Sequence, residues 1–153
     1  MLIKVLNEDG TPCNGGQGRW HLPTQNEDGT RTPGEWMTPI EGTLVACKNG
    51  YHYCDGMQVL GWLGPALFEV EVRGDTLRAD DKCVAREARL VRRLNWDART
   101  ARLFACDCAE RVVHQCGDDP RPRAAIETAR RYANGEATDQ ELAAARDAAR
   151  DAA

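Results

Sequence analysis

Alternating apolar and polar positions predict β-strands in the first 95 residues of the chain. The segment ALFEVEV (66–72) places apolar side chains on one side and glutamates on the other, a pattern typical of a half-buried strand. LIKVL (2–6) is a second strand-like run. TLVAC (43–47) and YHYC (51–54) enclose Lys48-Asn49-Gly50, and Asn-Gly favours the positive φ angles of a hairpin turn. This part of the chain therefore predicts a mostly antiparallel, twisted sheet.

Three further segments of the same region predict other structures. GMQVLGWLG (56–64) has apolar residues at helical spacing, so we expect one short helix there, capped by Asp55. Gly74-Asp75 predicts a turn that ends the strand of residues 66–72. Residues 83–94 fit both a helix and a strand, and periodicity alone leaves the two open.

From residue 96 onward, alanine, arginine and acidic residues recur at helical spacing and predict about three helices. The first should end at Gly117, and the second should run from Pro122 to Asn134. Thr138 to Glu141 forms a capping box that starts the third. We expect an α+β protein with a β-rich domain over 1–95 and a small helical appendage over 96–153. The predicted apolar face of the first of these helices contains Ala101, Ala105, Cys108, Val112 and Cys116.

Composition excludes several classes of function. The chain contains no serine and no Gly-Lys-Ser/Thr, which excludes a serine nucleophile and a P-loop. The net charge is −4 and neither half has a basic excess, so a nucleic-acid partner is not expected. No apolar run is long enough to span a membrane, and the N-terminus does not resemble a signal peptide. We therefore expect a cytoplasmic protein with reduced cysteines and no membrane partner.

Cysteine and histidine residues crowd two segments, of which the second, FACDCAERVVHQC (104–116), is the easier to interpret. On a helix, Cys106 and His114 would lie about 12 Å apart along the axis, too far to share one metal ion. Helical spacing disperses this cluster. We expect Cys108 and Cys116 to be small buried apolar residues.

The first segment, ACKNGYHYCDG (46–56), keeps its candidate chemistry. His52 and Cys54 share one strand face, and Cys47 lies across the turn, so these three could converge on a metal ion, with Cys13, His21 or Cys83 as a fourth ligand. Their spacing fits no common zinc pattern, and we expect neither a metal nor another cofactor. Cys54 also precedes the predicted helix start, where a cysteine could act as a nucleophile with His52 as its base.

The motifs CKNGYHYCDG, LFEVEV and GDTLRADDKCVAREARLVRRL follow one another over residues 1–95. In this order and spacing they resemble an uncharacterised domain of bacteriophage and prophage proteins. The resemblance favours a strand after Asp80-Asp81-Lys82. The later segments DCAE, RPRAAIE and ARRYANG resemble the start of a helical family of immunity proteins, although this chain stops before the helices with which such proteins continue. Neither resemblance implies a reaction.

The resemblance suggests a phage- or mobile-element-encoded accessory protein that binds a macromolecular partner, in counter-defence or immunity. We expect a protein partner, with homo-oligomers through the C-terminal helices as a further option. The alternative is an enzyme, or a degenerate enzyme, with an ADP-ribosyltransferase-like fold, which the order of elements loosely resembles. Its catalytic candidates are His52, Cys54 and Glu71. The candidate binding residues are Tyr51, His52, Tyr53 and Trp36.

Overall fold

The computed structural model describes residues 1–151 and has the expected α+β fold. It forms two compact units, one over Met1–Trp96 and a second that begins at Asp97. Strands belong to the first unit and α-helices to the second. The strands are β1 (Ile3–Leu6), β2 (Thr24–Gln25), β3 (Arg31–Thr32), β4 (Tyr51–Tyr53), β5 (Ala66–Arg78) and β6 (Cys83–Arg93); the helices are α1 (Ala98–Val112), α2 (Arg121–Ala133) and α3 (Asp139–Arg150).

Four of these strands form one antiparallel sheet with the order β1-β5-β6-β4. The two edge strands also meet, because Ile3 and Cys54 exchange backbone hydrogen bonds of 2.8 Å in both directions. The sheet therefore curls until its edges touch at this point. Strands β2 and β3 form a separate two-stranded hairpin.

The β5–β6 hairpin is longer than the sequence predicts. Gly74 and Asp75 do not end β5 but form a bulge, in which both residues lie opposite Arg86 of β6. Gly74 adopts φ 73°, which favours glycine, and Asp75 pairs with the Arg86 guanidinium at 3.0 Å. The turn follows four residues later, where Ala79 N–H donates to the carbonyl of Lys82. The ambiguous segment after it is a strand, as the family resemblance favoured.

Apolar side chains cover both faces of the curled sheet. One cluster centres on Leu6, Phe68 and Leu90, which are almost fully buried. A second, on the opposite face, contains Ile3 and Leu67. The alternation predicted for β5 is confirmed, since Phe68 and Leu67 enter different clusters.

A short helix is present within 56–64 as predicted, but its cap and the strand expected at 43–47 are wrong. The segment 56–64 forms one turn of 3₁₀ helix, Gln58–Gly61, and Asp55 does not cap it. The Gln58 side chain instead accepts the Asp55 N–H at 3.1 Å, while the Asp55 carboxylate pairs with Arg78. Residues 43–47 are not a strand; the chain turns at Ala46, Cys47 and Lys48, and a bridge between Val45 and Asn49 closes this turn.

In the second unit, α2 packs against both α1 and α3. The Thr138 capping box is present, and α2 ends at Asn134 as predicted. The buried face of α1 is not the predicted one: Cys106 is buried, whereas Cys108 and Cys116 are exposed. The reason is that α2 covers the Cys106 side, where the thiol lies 3.7 Å from the Ile126 carbonyl oxygen. The chain beyond α1 then tightens into a 3₁₀ turn, Val113–Cys116.

Candidate functional site

The first unit contains a pocket of about 380 Å³ beside the point where β1 meets β4. This volume lies within the range of small-molecule sites. The pocket gathers residues from β1, β4, the turn before β4, the loop after β1, the 3₁₀ turn and the β5–β6 turn. Its lining consists of Ile3, Lys4, Val5, Pro12, Asn14, Gly15, Gly16, Cys47, His52, Tyr53, Cys54, Trp62 and Lys82.

His52 is fixed by a backbone hydrogen bond across the turn. The N–H of Cys47 donates to His52 Nε2 at 2.7 Å, so this nitrogen carries no proton and the neutral ring is protonated at Nδ1. Burial lowers the pKa of His52, and the charges of Lys4 and Lys82 lower it further. His52 is therefore a neutral, positioned ring whose Nε2 is occupied.

Cys47 has an unusual backbone conformation. Among residues 1–151 it is the one residue other than glycine with a positive φ, 64°. Such a conformation costs an ordinary residue about 1–2 kcal/mol and persists where surrounding contacts enforce it. The hydrogen bond to His52 is one such contact. The turn holds the Cys47 side chain at the rim of the pocket.

Cys54 does not have the surroundings of a reactive thiol. It is buried, and burial raises its pKa, which outweighs the opposing effect of Lys4. No helix begins at Asp55, so the helix N-terminus expected beside Cys54 is absent. The thiol forms part of the apolar wall, with Ile3 and Val5.

Two lysines supply the positive charge of the pocket. Lys82 Nζ lies 4.2 Å from the centre of the Trp62 ring and 3.2 Å from the Asp81 carboxylate. Burial acts to lower the Lys82 pKa, but its interactions with Cys47 and Asp81 raise it overall. Lys4 Nζ lies 5.0 Å from the centre of the Trp20 ring, and no carboxylate within residues 1–151 pairs with it. Burial lowers the pKa of Lys4 to about 8.

The structure does not bring Glu71 to this pocket. Glu71 pairs with Arg89 at 2.7 Å, whereas His52 lies opposite Val84, about 16 Å away along β6. Trp36 belongs to the same distant surface as Glu71. Its ring is contacted by the guanidinium groups of Arg73 and Arg89, at 4.1 and 4.8 Å from the ring centre.

The two candidate tyrosines on β4 contribute to the core. Tyr53 is buried within the Phe68 cluster, and Tyr51 packs against that cluster. The Tyr51 hydroxyl donates to the carbonyl of Thr38 at 2.7 Å, and its ring packs edge-on against Trp20. Of the predicted binding residues, His52 and Tyr53 line the pocket, whereas Tyr51 and Trp36 do not.

The residues considered as metal ligands take up separate positions in the first unit. Cys47, His52 and Cys54 all line the pocket, yet within residues 1–151 no three His, Cys, Asp or Glu side chains are arranged to hold a metal ion. Cys13 packs against the Ile3 cluster and Cys83 lies in the Phe68 cluster. His21, the other suggested ligand, has Nδ1 3.4 Å from the Glu35 carbonyl oxygen.

The environment of His52 predicts a pH-dependent stability. Because its pKa is lower in the folded state, the unfolded chain binds more protons at acidic pH. We expect the free energy of unfolding to fall as the pH drops below about 6.5, the ordinary value for histidine. His52→Gln should remove this part of the slope in urea titrations between pH 7.5 and 5, whereas the exposed His21→Gln should retain it. An unchanged slope in His52→Gln would contradict the assignment.

The second unit contains an open groove on α2. This helix packs against α1 on one side and α3 on the other, yet none of its residues is fully buried. Alanines and Ile126 form an apolar floor, and Arg102 of α1 and Arg146 of α3 stand at its sides. Among residues 1–151, no carboxylate pairs with either of these arginines. The groove is lined by Arg102, Ala105, Cys106, Ala109, Ala125, Ile126, Ala129 and Arg146.

No helix within residues 1–151 has the length and apolar character required to cross a membrane.

Residues 2–102 match one protein family, described as a domain of unknown function. The match includes the whole curled sheet and the pocket, and it supports the expectation of an uncharacterised domain. The chain matches no curated protein sequence and no solved structure.

Proposed function

The chain belongs to the DUF7666 family, whose domain has no known function, and we propose that it acts by binding a protein partner through the groove on α2. We further propose that it is an accessory protein of a phage or mobile element and works in the host cytoplasm, in counter-defence or immunity. The motif order CKNGYHYC, LFEVEV and DDK supports that setting. The groove is the observation that supports partner binding.

The shape of the groove favours a helix as the bound element. Helices α1 and α3 both pack against α2 but not closely against each other, so a strip of α2 stays open between them. Small alanine side chains on the floor allow a second backbone to approach closely. An amphipathic helix placed there would bury its apolar face in a common mode of peptide recognition.

Charge favours an acidic helix. Arg102 and Arg146 flank the apolar floor, and the Arg102 guanidinium packs over the Tyr132 ring at 4.7 Å from its centre. Arginine forms bidentate hydrogen bonds with carboxylates, which adds geometric specificity to charge attraction. A partner helix with Asp or Glu beside its apolar stripe would satisfy both guanidinium groups.

The geometry gives less support to an ADP-ribosyltransferase-like enzyme. Such an enzyme needs its histidine and glutamate to converge on one cavity. Glu71 is instead engaged by Arg89 at a distance from the pocket, and the thiol of Cys54 has a raised pKa. Binding therefore accounts for the arrangement better than catalysis.

Charge reversal tests this proposal. The double variant Arg102→Glu/Arg146→Glu should weaken partner binding by at least tenfold, because two attractions become repulsions. Arg111→Glu/Arg123→Glu is the matched control, with the same charge change at exposed positions of the same unit. The partner is first recovered with the wild-type chain from an infected or lysogenic host, then purified and titrated by calorimetry. Equal losses for both double variants, or no loss for the first, would contradict the proposal.

A second copy of this chain is the competing occupant. Ala144 and Ala148 of α3 are exposed, so helix pairing between copies offers an alternative use of this unit. Light scattering of the purified wild-type chain separates the two. A monomer agrees with a foreign partner, whereas a dimer that the Arg102→Glu/Arg146→Glu variant dissociates would assign the groove to self-association.

A further inference from the structure

We propose that the pocket of the first unit binds a small organic anion, with its carboxylate or phosphate group beside Lys82 and its apolar body against Trp62, Ile3 and Val5. This site is separate from the groove on α2, and the proposal does not depend on a protein partner. It rests on the lining of the pocket, on the distribution of lysine in the chain and on the fixed state of His52.

The lining combines an apolar wall with positive charge. Ile3, Val5, Pro12 and the Trp62 ring supply apolar surface, while Lys4 and Lys82 supply charge. Among residues 1–151, no Asp or Glu lines the pocket, and Asp81 approaches it only through its ion pair with Lys82, although the chain carries a net charge of −4. Ligand pockets typically combine such apolar walls with a few polar groups that orient the ligand.

Lysine is rare in this chain, which makes its placement informative. The chain has 20 Lys and Arg residues, of which only Lys4, Lys48 and Lys82 are lysines, and two of the three line this pocket. Both act electrostatically on His52, whose pKa is lowered first by burial and then by their charges. Asp81, which pairs with Lys82, opposes this effect on the His52 pKa, but two ammonium groups face one carboxylate, and this excess of positive charge favours an anion over a cation.

The state of His52 restricts the ligand further. Its Nε2 is occupied by the Cys47 N–H, so the ring offers the Nδ1–H donor and no free acceptor. The Lys4 and Lys82 ammonium groups likewise donate and do not accept. A ligand rich in acceptor oxygens suits this donor set, and an amine or a metal ion does not.

The neighbours of Lys82 fix its position. Its ammonium group lies over the Trp62 ring, whose Nε1–H donates to the Asp81 carbonyl at 2.8 Å. Asp81 also holds the ammonium through its carboxylate at 3.2 Å, and the side chain of Lys82 is 13% exposed. A preorganised charge of this kind loses little conformational entropy when a ligand binds.

Three matched probes test the proposal. Benzoate and phenyl phosphate carry the two anionic groups on the same ring, and benzamide is the neutral counterpart. We expect both anions to bind to the full chain in calorimetric titrations and benzamide to bind at least tenfold more weakly. Their relative affinities separate a carboxylate ligand from a phosphate ligand. Equal binding of benzamide and benzoate, or no binding of either anion at millimolar concentration, would overturn the proposal.

Lysine variants locate the site. Lys82→Met should weaken binding of the tighter anion at least tenfold, and the exposed Lys48→Met should change it less than twofold. Arg102→Glu/Arg146→Glu should leave the affinity unchanged, which distinguishes this pocket from the groove. In ¹H–¹⁵N spectra, the Trp62 indole and His52 ring signals should shift on titration. A Lys82→Met spectrum with the same signal dispersion as the wild type would verify that this variant is folded. Equal loss in the two lysine variants, or shifts confined to the second unit, would refute the assignment.

Discussion

Lys4→Met should raise the free energy of unfolding by about 3 kcal/mol at pH 7. Burial lowers the pKa of Lys4 from 10.5 to about 8, and each unit corresponds to about 1.4 kcal/mol. At pH 7 the folded chain therefore holds a charged amine in a poorly hydrated position without a carboxylate partner among residues 1–151. Methionine has a similar length and no charge, so it removes that cost and retains the packing against Trp20.

The pH dependence identifies the cause. Because the folded pKa of Lys4 is lower than the unfolded one, the destabilisation is complete below about 8 and is relieved as the pH rises toward 10.5. The advantage of Lys4→Met over the wild type should accordingly shrink between pH 8 and 10. Tyr51, Tyr53 and Cys54, whose pKa values are raised by burial, also ionise in this range. Their contributions to the pH dependence of stability are the same in both proteins and cancel in the comparison.

Urea titrations at several pH values measure this difference. Lys48→Met serves as the control, since Lys48 is exposed and its replacement should change the free energy of unfolding by less than about 0.5 kcal/mol. A stabilisation by Lys4→Met that is constant between pH 7 and 10 would indicate an apolar packing effect. A destabilisation at pH 7 would show that interactions within the folded chain more than offset the desolvation cost of the Lys4 ammonium group.

A costly lysine at this position agrees with a binding role for the pocket. An anion bound nearby would favour the charged form of Lys4 and offset part of its desolvation cost. Residues that lower stability at a binding site are a common compromise between stability and function. Lys4→Met should therefore be more stable than the wild type and bind benzoate more weakly, and this combination separates a functional charge from a poorly packed one.

Local patterns in the sequence predict much of the first unit. Alternation identifies β5 and assigns Phe68 and Leu67 to opposite faces, because side chains of a strand alternate strictly. The same local reasoning misplaces the end of β5, since Gly74-Asp75 is equally compatible with a turn and with a bulge. Pairing with Arg86 on β6 decides between them, and that contact is not visible locally. The exposed Cys108 and buried Cys106 have the same origin, as the position of α2 selects the buried face of α1.

The candidate site is only partly predictable for a similar reason. His52 and Cys54 share a strand face, and the sequence places a candidate site there. Lys4, Trp62 and Lys82 come from three other segments: the curl of the sheet brings β1 with Lys4 to β4, and the pairing of β6 with β4 brings Lys82 there. A weak signal exists in Lys4, which interrupts the apolar run LIKVL, and in the rarity of lysine beside arginine. Neither feature of the sequence predicts which residues lie next to one another in the folded chain.

Gly50→Ala should lower the free energy of unfolding by about 3 kcal/mol. Gly50 adopts φ 133°, which L-residues with a side chain rarely adopt, and a Cβ there would overlap Cγ1 of Val84. Val84 is fully buried on β6, so it has little room to move. Strained backbone costs about 1–3 kcal/mol and an overpacked core a similar amount. Since Gly50 directly precedes β4, relief of the overlap would also displace His52 from Cys47.

The matched control for this substitution is Gly56→Ala. A Cβ at Gly56 meets no atom within 4 Å, and its φ lies outside the positive range, so stability should change by less than about 1 kcal/mol. Urea titration measures both variants, and ¹H–¹⁵N spectra of the His52 ring report on the turn. Gly50→Ala with wild-type stability would mean that β4 moves away from β6 without cost. In that case the turn before β4 would not be what fixes His52, and the pocket would depend on the bridge between Ile3 and Cys54 instead.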